Sequence, residues 1–226
     1  MQIYDEEWAE NYERLAEAGM PGREGLYRLC KTIFSRSKIQ GKSLVVGCGT
    51  GADLLPIAEA FTEWKFDALE PADAMRTYCQ SQINKKKLSG RINLHACDLE
   101  AFDSNETYDI VTSILVSQHI ENSVEAQRFF SKLYSLIKPN GWLYTADIHF
   151  PMNQPESEIL DLWAYQAKYA GTPEERVENL LVRFSTDLKP RQEEKIVQLL
   201  HTAGLKSPVK VFSSLIYGAW CAQRGA

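Results

Sequence analysis

Hydrophobic positions along the chain follow two rhythms, and the change from one to the other marks its elements. Residues 1–37 carry apolar side chains at helical spacing, Trp8, Tyr12 and Leu15 on one face and Leu26, Leu29, Ile33 and Phe34 on a second. Gly19-Met20-Pro21-Gly22 breaks the two helices apart. The rhythm then shortens to Leu44-Val45-Val46, a run that ends in glycines and predicts a strand covered on both faces. A helix is expected from Asp53 to Ala60, and further strands at Lys65 to Leu69, Ile92 to Ala96 and Tyr108 to Thr112. Leu136-Ile-Lys-Pro-Asn-Gly-Trp-Leu-Tyr closes a helix with a Pro-Asn-Gly turn and opens a fifth strand.

Residues 153–189 return to helical spacing, with Ile159, Leu160, Trp163, Gln166 and Ala167 on one helix and a second from Pro173 to Phe184. A last helix from Arg191 to Ala203 has Gly204 as its C-terminal cap. In residues 208–222, Val209, Val211, Leu215, Tyr217 and Ala219 take strand spacing around a Ser213-Ser214 turn, so the chain ends in a hairpin. Strands alternating with helices predict a doubly wound α/β fold, a seven-stranded and mostly parallel sheet with an antiparallel last strand. The expected organisation is one domain over residues 1–226, with 1–37 as a helical cap and 153–189 as a helical insertion forming the substrate wall.

The first candidate chemistry lies where that first strand ends. Gly47, Gly49 and Gly51 let the chain turn sharply and let a ligand approach the backbone, and the helix behind them presents its N-terminal amides to the same place. Asp53 stands at that helix start, where a negative charge is favourable. Gly47, Gly49 and Ala52 also satisfy the loose dinucleotide-binding fingerprint, so a nicotinamide cofactor is open at this point. Later strand ends should reach the same crevice. Glu70 follows the second strand about 20 residues after the glycines, where a carboxylate can accept from both hydroxyls of a ribose. Asp98 can accept from an exocyclic amine of an adenine while Leu99 packs on the ring. The segment Ser113-Ile114-Leu115-Val116-Ser117-Gln118-His119 follows the fourth strand.

Composition narrows the partners. The 226 residues are 44% hydrophobic, enough to bury a core without staples, and the formal charge of −5 offers no basic field for extensive nucleic-acid binding. The five cysteines, at 30, 48, 79, 97 and 221, include no Cys-x-x-Cys pair, so neither a disulfide framework nor a zinc site is expected. No long apolar stretch suits a bilayer and the N-terminus is acidic, which makes a cytoplasmic protein the expectation.

In this order the motifs resemble the class I S-adenosylmethionine-dependent methyltransferases, over roughly Leu44 to Ile148. The resemblance implies their Rossmann-like fold, S-adenosylmethionine as cofactor, S-adenosylhomocysteine as product, and methyl transfer to a small-molecule acceptor by a monomer or homodimer. It places Gly47, Gly49 and Gly51 beneath the methionine half of the cofactor, Glu70 on its ribose, and Asp98 with Leu99 on its adenine. Met75 matches a residue packing on the adenine face, and Ser113 with Leu115 match the loop flooring the site. Asp53 can reach the cofactor's amino group, and Tyr12 and Trp163 can cap the site. His119 and His149 stand where a general base would act on the acceptor, since imidazole titrates near neutral pH.

Tyr4-Asp-Glu-Glu-Trp-Ala-Glu-Asn-Tyr12 with Met20-Pro21-Gly22, and Tyr217-Gly218-Ala219-Trp220, are similar to the ends of carboxy-S-adenosylmethionine synthases. That likeness implies modification of the cofactor itself, with Arg183 as candidate carboxylate ligand and Arg23 departing from the pattern. A non-catalytic cofactor-binding subunit is the third reading.

Overall fold

The computed structural model describes residues 6–37, 39–120, 122–151, 155–186, 188 and 190–226, without the side chains of residues 6–10 and 12. Trp8 and Tyr12, expected on the first apolar face, therefore lie outside the described side chains.

Two helices, α1 (Glu6–Gly19) and α2 (Arg23–Arg36), precede β1 (Lys42–Val46), α3 (Leu54–Ala60), β2 (Lys65–Leu69), α4 (Asp73–Lys85), β3 (Ile92–His95) and β4 (Tyr108–Ile114). There follow α5 (Ser123–Leu136), β5 (Ile137–Phe150), α6 (Glu156–Tyr169), α7 (Glu174–Thr186), β6 (Arg191–Gln192), α8 (Glu193–Thr202), β7 (Leu205–Ser214) and β8 (Tyr217–Arg224). The sheet runs β3-β2-β1-β4-β5-β8-β7, with the two-residue β6 attached to β5. Strands β1 to β5 pair in parallel, and β8 is antiparallel to both β5 and β7. Among the described residues the sheet has eight strands where seven were expected; the extra one, β6, lies inside what reads in sequence as the start of the last helix.

Both faces of the sheet are covered, which explains the unbroken apolar run of β1. Val45 joins the core of Leu26, Phe34, Leu54, Ile57 and Cys79 beneath α2, α3 and α4. Leu44 and Val46 point the other way, into the core of Phe130, Leu133, Ile196 and Leu199 beneath α5 and α8.

Three boundaries differ from expectation, two of them for identifiable reasons. The Pro139-Asn140-Gly141 turn sits within β5, so that Tyr108 pairs with Ile137 but Ile110 with Trp142, an irregularity that Asn140 absorbs at φ 62°. The terminal hairpin turns at Leu215-Ile216 instead of Ser213-Ser214, since Ser214 pairs with Tyr217. Ile216 is wholly buried and its carbonyl accepts the His149 N–H at 2.8 Å, so tertiary contacts fix the turn against local preference. Strand β4 runs two residues further than expected and takes in Ser113.

The helices outside the sheet are tied to one another. Trp163 of α6 is buried and donates its Nε1–H to the Gly19 carbonyl at 2.8 Å, and Gln166 donates to Ala18 at 3.2 Å. The C-terminal end of α1 is thereby held against α6, over the carboxyl ends of the strands.

Candidate functional site

Strand order reverses between β1 and β4, and in an open α/β sheet the crevice at such a point is where ligands bind. A cavity of about 850 Å³ opens there. Its floor is the turn after β1 and the loop after β4, and its far wall is built from α2, α6 and α7.

Within the turn, Gly47 and Gly49 adopt φ +70° and +54°, the left-handed region that side chains resist. A Cβ at Gly47 would stand 2.5 Å from Val116 Cγ2, so the turn after β1 and the loop after β4 nest only through glycine. A Cβ at Gly49 meets no atom within 4 Å, and this residue borders the cavity. Gly49 also donates its N–H to Glu70 Oε2 at 2.8 Å, while Glu70 Oε1 accepts from Ala72 N at 2.8 Å. The Glu70 carboxylate is 7% exposed, and burial raises its pKa against the pull of those two N–H groups. Each of its oxygens retains a lone pair for a ligand.

Of the expected site residues, Gly47, Gly49, Glu70, Met75, Asp98, Leu99, Leu115 and His119 line this one cavity. Asp98 is exposed and accepts from Ala101 N at 2.8 Å; Leu99 and Met75 are buried and border the same cavity. Leu115 holds φ +59° and donates to the Ala146 carbonyl at 2.8 Å, which fixes the bend out of β4. Tyr12 cannot be placed, its side chain lying outside the described residues.

Three expected residues do not face the cavity. Gly51 sits on the turn's far side, where a Cβ would press at 3.0 Å on Cys79 and Leu55, so it serves helix packing. Ser113 and His149 fail through strand alternation: Ile114 and Ile148 line the cavity, and their neighbours point to the opposite face. Ser113 is 1% exposed, between Val46 and Thr145. His149 is fully buried edge-on to Trp220 at 5.1 Å, above Gly218, where any Cβ would strike its ring at 2.4 Å. Neither ring nitrogen has a hydrogen-bond partner among the described residues, and burial lowers its pKa. Buried and turned away from the cavity, it is not placed to meet an acceptor there.

Sequence reasoning missed a charged bridge over the glycine turn. Glu13 of α1 accepts from the Thr50 hydroxyl and pairs with Arg23 at 2.8 Å; Arg23 Nε–H also donates to the Tyr27 hydroxyl at 3.0 Å. Arg23 is buried in the first turn of α2, where a cation opposes the helix dipole, and that misfit was the available signal. Beside it Asp53 caps α3 by accepting from Leu54 N at 2.8 Å. Burial pushes Asp53 up to about 6, with Arg23 pulling the other way.

A second buried cluster stiffens the loop after β4. Ser117 hydrogen-bonds Asp147, and Arg191 donates to the Ser117 carbonyl at 2.9 Å and to that of Ile120. Burial pushes Asp147 also to about 6. Among the described residues no group of His, Cys, Asp and Glu could hold a metal ion, and no helix is long and apolar enough to cross a membrane.

Comparison with known proteins agrees with this geometry. The family described as "Methyltransferase domain" matches residues 44–143. The chain is 30% identical over 118 residues to (S)-tetrahydroprotoberberine N-methyltransferase of Eschscholzia californica, covering 52% of this chain and 33% of that protein. It is 28% identical over 175 residues to a ubiquinone biosynthesis O-methyltransferase of Rickettsia canadensis, covering 77% and 65%. The N-methyltransferase NodS of Bradyrhizobium japonicum, solved with S-adenosylhomocysteine, superposes with a TM-score of 0.60 at 14% identity over 90% of this chain and 87% of that one. The chain spans less than half the length of the first curated relatives it matches, at 33%, 19% and 43%. Residues 44–143 thus match a methyltransferase domain, and the sheet order and fold are those of solved methyltransferases such as NodS.

Proposed function

We propose that the protein transfers the methyl group of S-adenosylmethionine to a small-molecule acceptor. The observation that carries the reading is the Glu70 carboxylate, buckled to Gly49 and Ala72 with lone pairs to spare, at the edge of the cavity that Gly49 leaves open. Cofactor modification and a non-catalytic subunit are less favoured, because the relatives' names are those of O- and N-methyltransferases.

When bound, S-adenosylmethionine supplies a sulfonium methyl: the acceptor's lone pair forms a bond to its carbon while the carbon–sulfur bond breaks, its electron pair staying on sulfur as S-adenosylhomocysteine. The chain's own residues position and desolvate. Glu70 takes the ribose hydroxyls, Asp98 and Leu99 the adenine, and Met75 its face. Asp53, its pKa near 6 leaving it mostly ionised at neutral pH, pairs with the cofactor's ammonium, and the Glu13 bridge holds α1 and α2 over the turn. Helices α1, α2, α6 and α7 form the cap and the acceptor wall. His119, at the cavity edge, receives a proton where the acceptor must lose one. The five free thiols suit a reducing compartment such as the cytoplasm, and the protein acts there as a monomer or homodimer without extensive nucleic-acid contacts.

Thermal unfolding with S-adenosylhomocysteine and, separately, NAD tests the cofactor. A ligand at a hundred times its Kd adds about 2.7 kcal/mol, or roughly 5–10 °C in Tm at this chain length. S-adenosylhomocysteine should give that shift and NAD none; the reverse result would remove the reading.

A further inference from the structure

The nucleoside side of the cavity carries charges of both signs, whereas the part of its wall formed by α7 carries cations and no carboxylate. Glu70, Asp98, Glu100 and Glu125 stand at the ends of β2 and β3 and the start of α5, with Arg128 and Lys132 of α5 among them. On the opposite wall α7 contributes Arg176, Leu180 and Arg183. Its own charges are sorted: Glu174, Glu175 and Glu178 are exposed, whereas Arg176 and Arg183 are half-buried against the cavity. The face of α7 that borders the cavity therefore presents two guanidinium groups and no carboxylate, while its carboxylates face away.

Seven residues make two turns, so Arg176 and Arg183 share one face with Leu180 between them. About 10 Å separates their Cα atoms along the axis, a span that two long side chains can close around one anion. Both also interact within the chain, but a guanidinium has five donors in a planar fork, enough to keep an internal contact and still hold a carboxylate. Around them the wall is apolar and aromatic: Trp163 and Phe184, stacked edge to face at 4.9 Å, with Ile148 and Leu188.

We propose that α7 is the acceptor-recognition helix, and that the acceptor is a small organic acid whose carboxylate is held by Arg176 and Arg183 while its apolar body lies against Trp163, Phe184 and Leu180. This rests on the methyl-transfer reading and adds the substrate class to it. The held carboxylate is an anchor and not the methylated atom, because a guanidinium fork occupies the lone pairs that would have to attack carbon.

The test uses the full chain with benzoate and hexanoate as probes and benzamide and hexanamide as neutral isosteres, titrated by ligand-observed NMR with and without S-adenosylhomocysteine. Expected is binding of the acids at least tenfold tighter than of their amides in the intact protein. Arg176→Gln and Arg183→Gln should each abolish that preference, while Arg183→Lys, which keeps charge but loses the fork, retains part of it. S-adenosylhomocysteine affinity should stay within twofold in all three variants. Amides bound as tightly as acids by the parent would overturn the proposal, and so would glutamine variants that keep the preference in a folded chain of parental Tm. Failure of S-adenosylhomocysteine to bind would instead strike the cofactor reading, since the acid-against-amide comparison is also made without it.

Discussion

Replacing Glu70 by glutamine separates the carboxylate's hold on the turn from its proposed role in binding the cofactor. In the folded chain its oxygens accept the Gly49 and Ala72 N–H groups at 2.8 Å each. An amide offers one oxygen, so one buried N–H meets an NH₂ group and goes unpaired, at about 2 kcal/mol. Burial already disfavours the Glu70 charge, and the neutral amide recovers part of that. The net loss should be about 1 kcal/mol, or roughly 2–4 °C in Tm. Cofactor binding loses more. Two ribose hydroxyls donating to a carboxylate contribute about 1.5–3 kcal/mol each, and one neutral acceptor replaces at most a part. The account therefore expects a loss of about 2–4 kcal/mol, some 30- to 1000-fold in Kd, by isothermal titration with S-adenosylhomocysteine. A variant with a lowered Tm but a Kd within threefold of the parent would show that Glu70 only buckles the turn.

Asp53 gives a pH signature. With its pKa near 6 and a cationic amino group as its partner, S-adenosylhomocysteine affinity should fall about tenfold from pH 7 to pH 5, and Asp53→Asn should flatten that dependence. The stability contribution of Asp53 and Asp147 has the opposite sense. Their raised pKa values stabilise the fold below about 3.8, and this is lost as pH rises through about 6, visible as proton uptake on folding near pH 5. Gly47→Ala should lower stability by about 1–2 kcal/mol from the left-handed backbone alone, plus the clash with Val116; Val116→Ala should restore only the clash component in a double-mutant cycle. Trp163→Phe keeps the packing on Phe184 but frees the Gly19 carbonyl, so it should cost about 1 kcal/mol and speed hydrogen exchange at the α1 C-terminus without altering the sheet.

Much of the sheet was legible because short apolar runs ended in residues that cannot continue them. Lys65 to Leu69 is a strand with those bounds, and β1 and β3 differ by a residue or two. Glu70, Asp98 and Leu99 followed from the rule that strand ends meet at the crevice. What escaped depended on the third dimension. Whether His149 faces ligand or core turns on one residue of strand phase, and no local signal gives the phase of a strand buried on both faces. The hairpin turn moved to Leu215-Ile216 because Ile216 fills the core, a long-range contact that outweighs turn preference. The Glu13-Thr50-Arg23 bridge joins groups up to 37 residues apart, and only the misplaced cation at the start of α2 hinted at it.

The most direct test is a crystal structure of the chain with S-adenosylhomocysteine. The account predicts the ribose hydroxyls within about 3 Å of the Glu70 oxygens, the homocysteine half along Gly47 to Gly49, and the sulfur turned toward α7. Ligand density bound elsewhere on the chain, while that crevice stays accessible and empty, would contradict it.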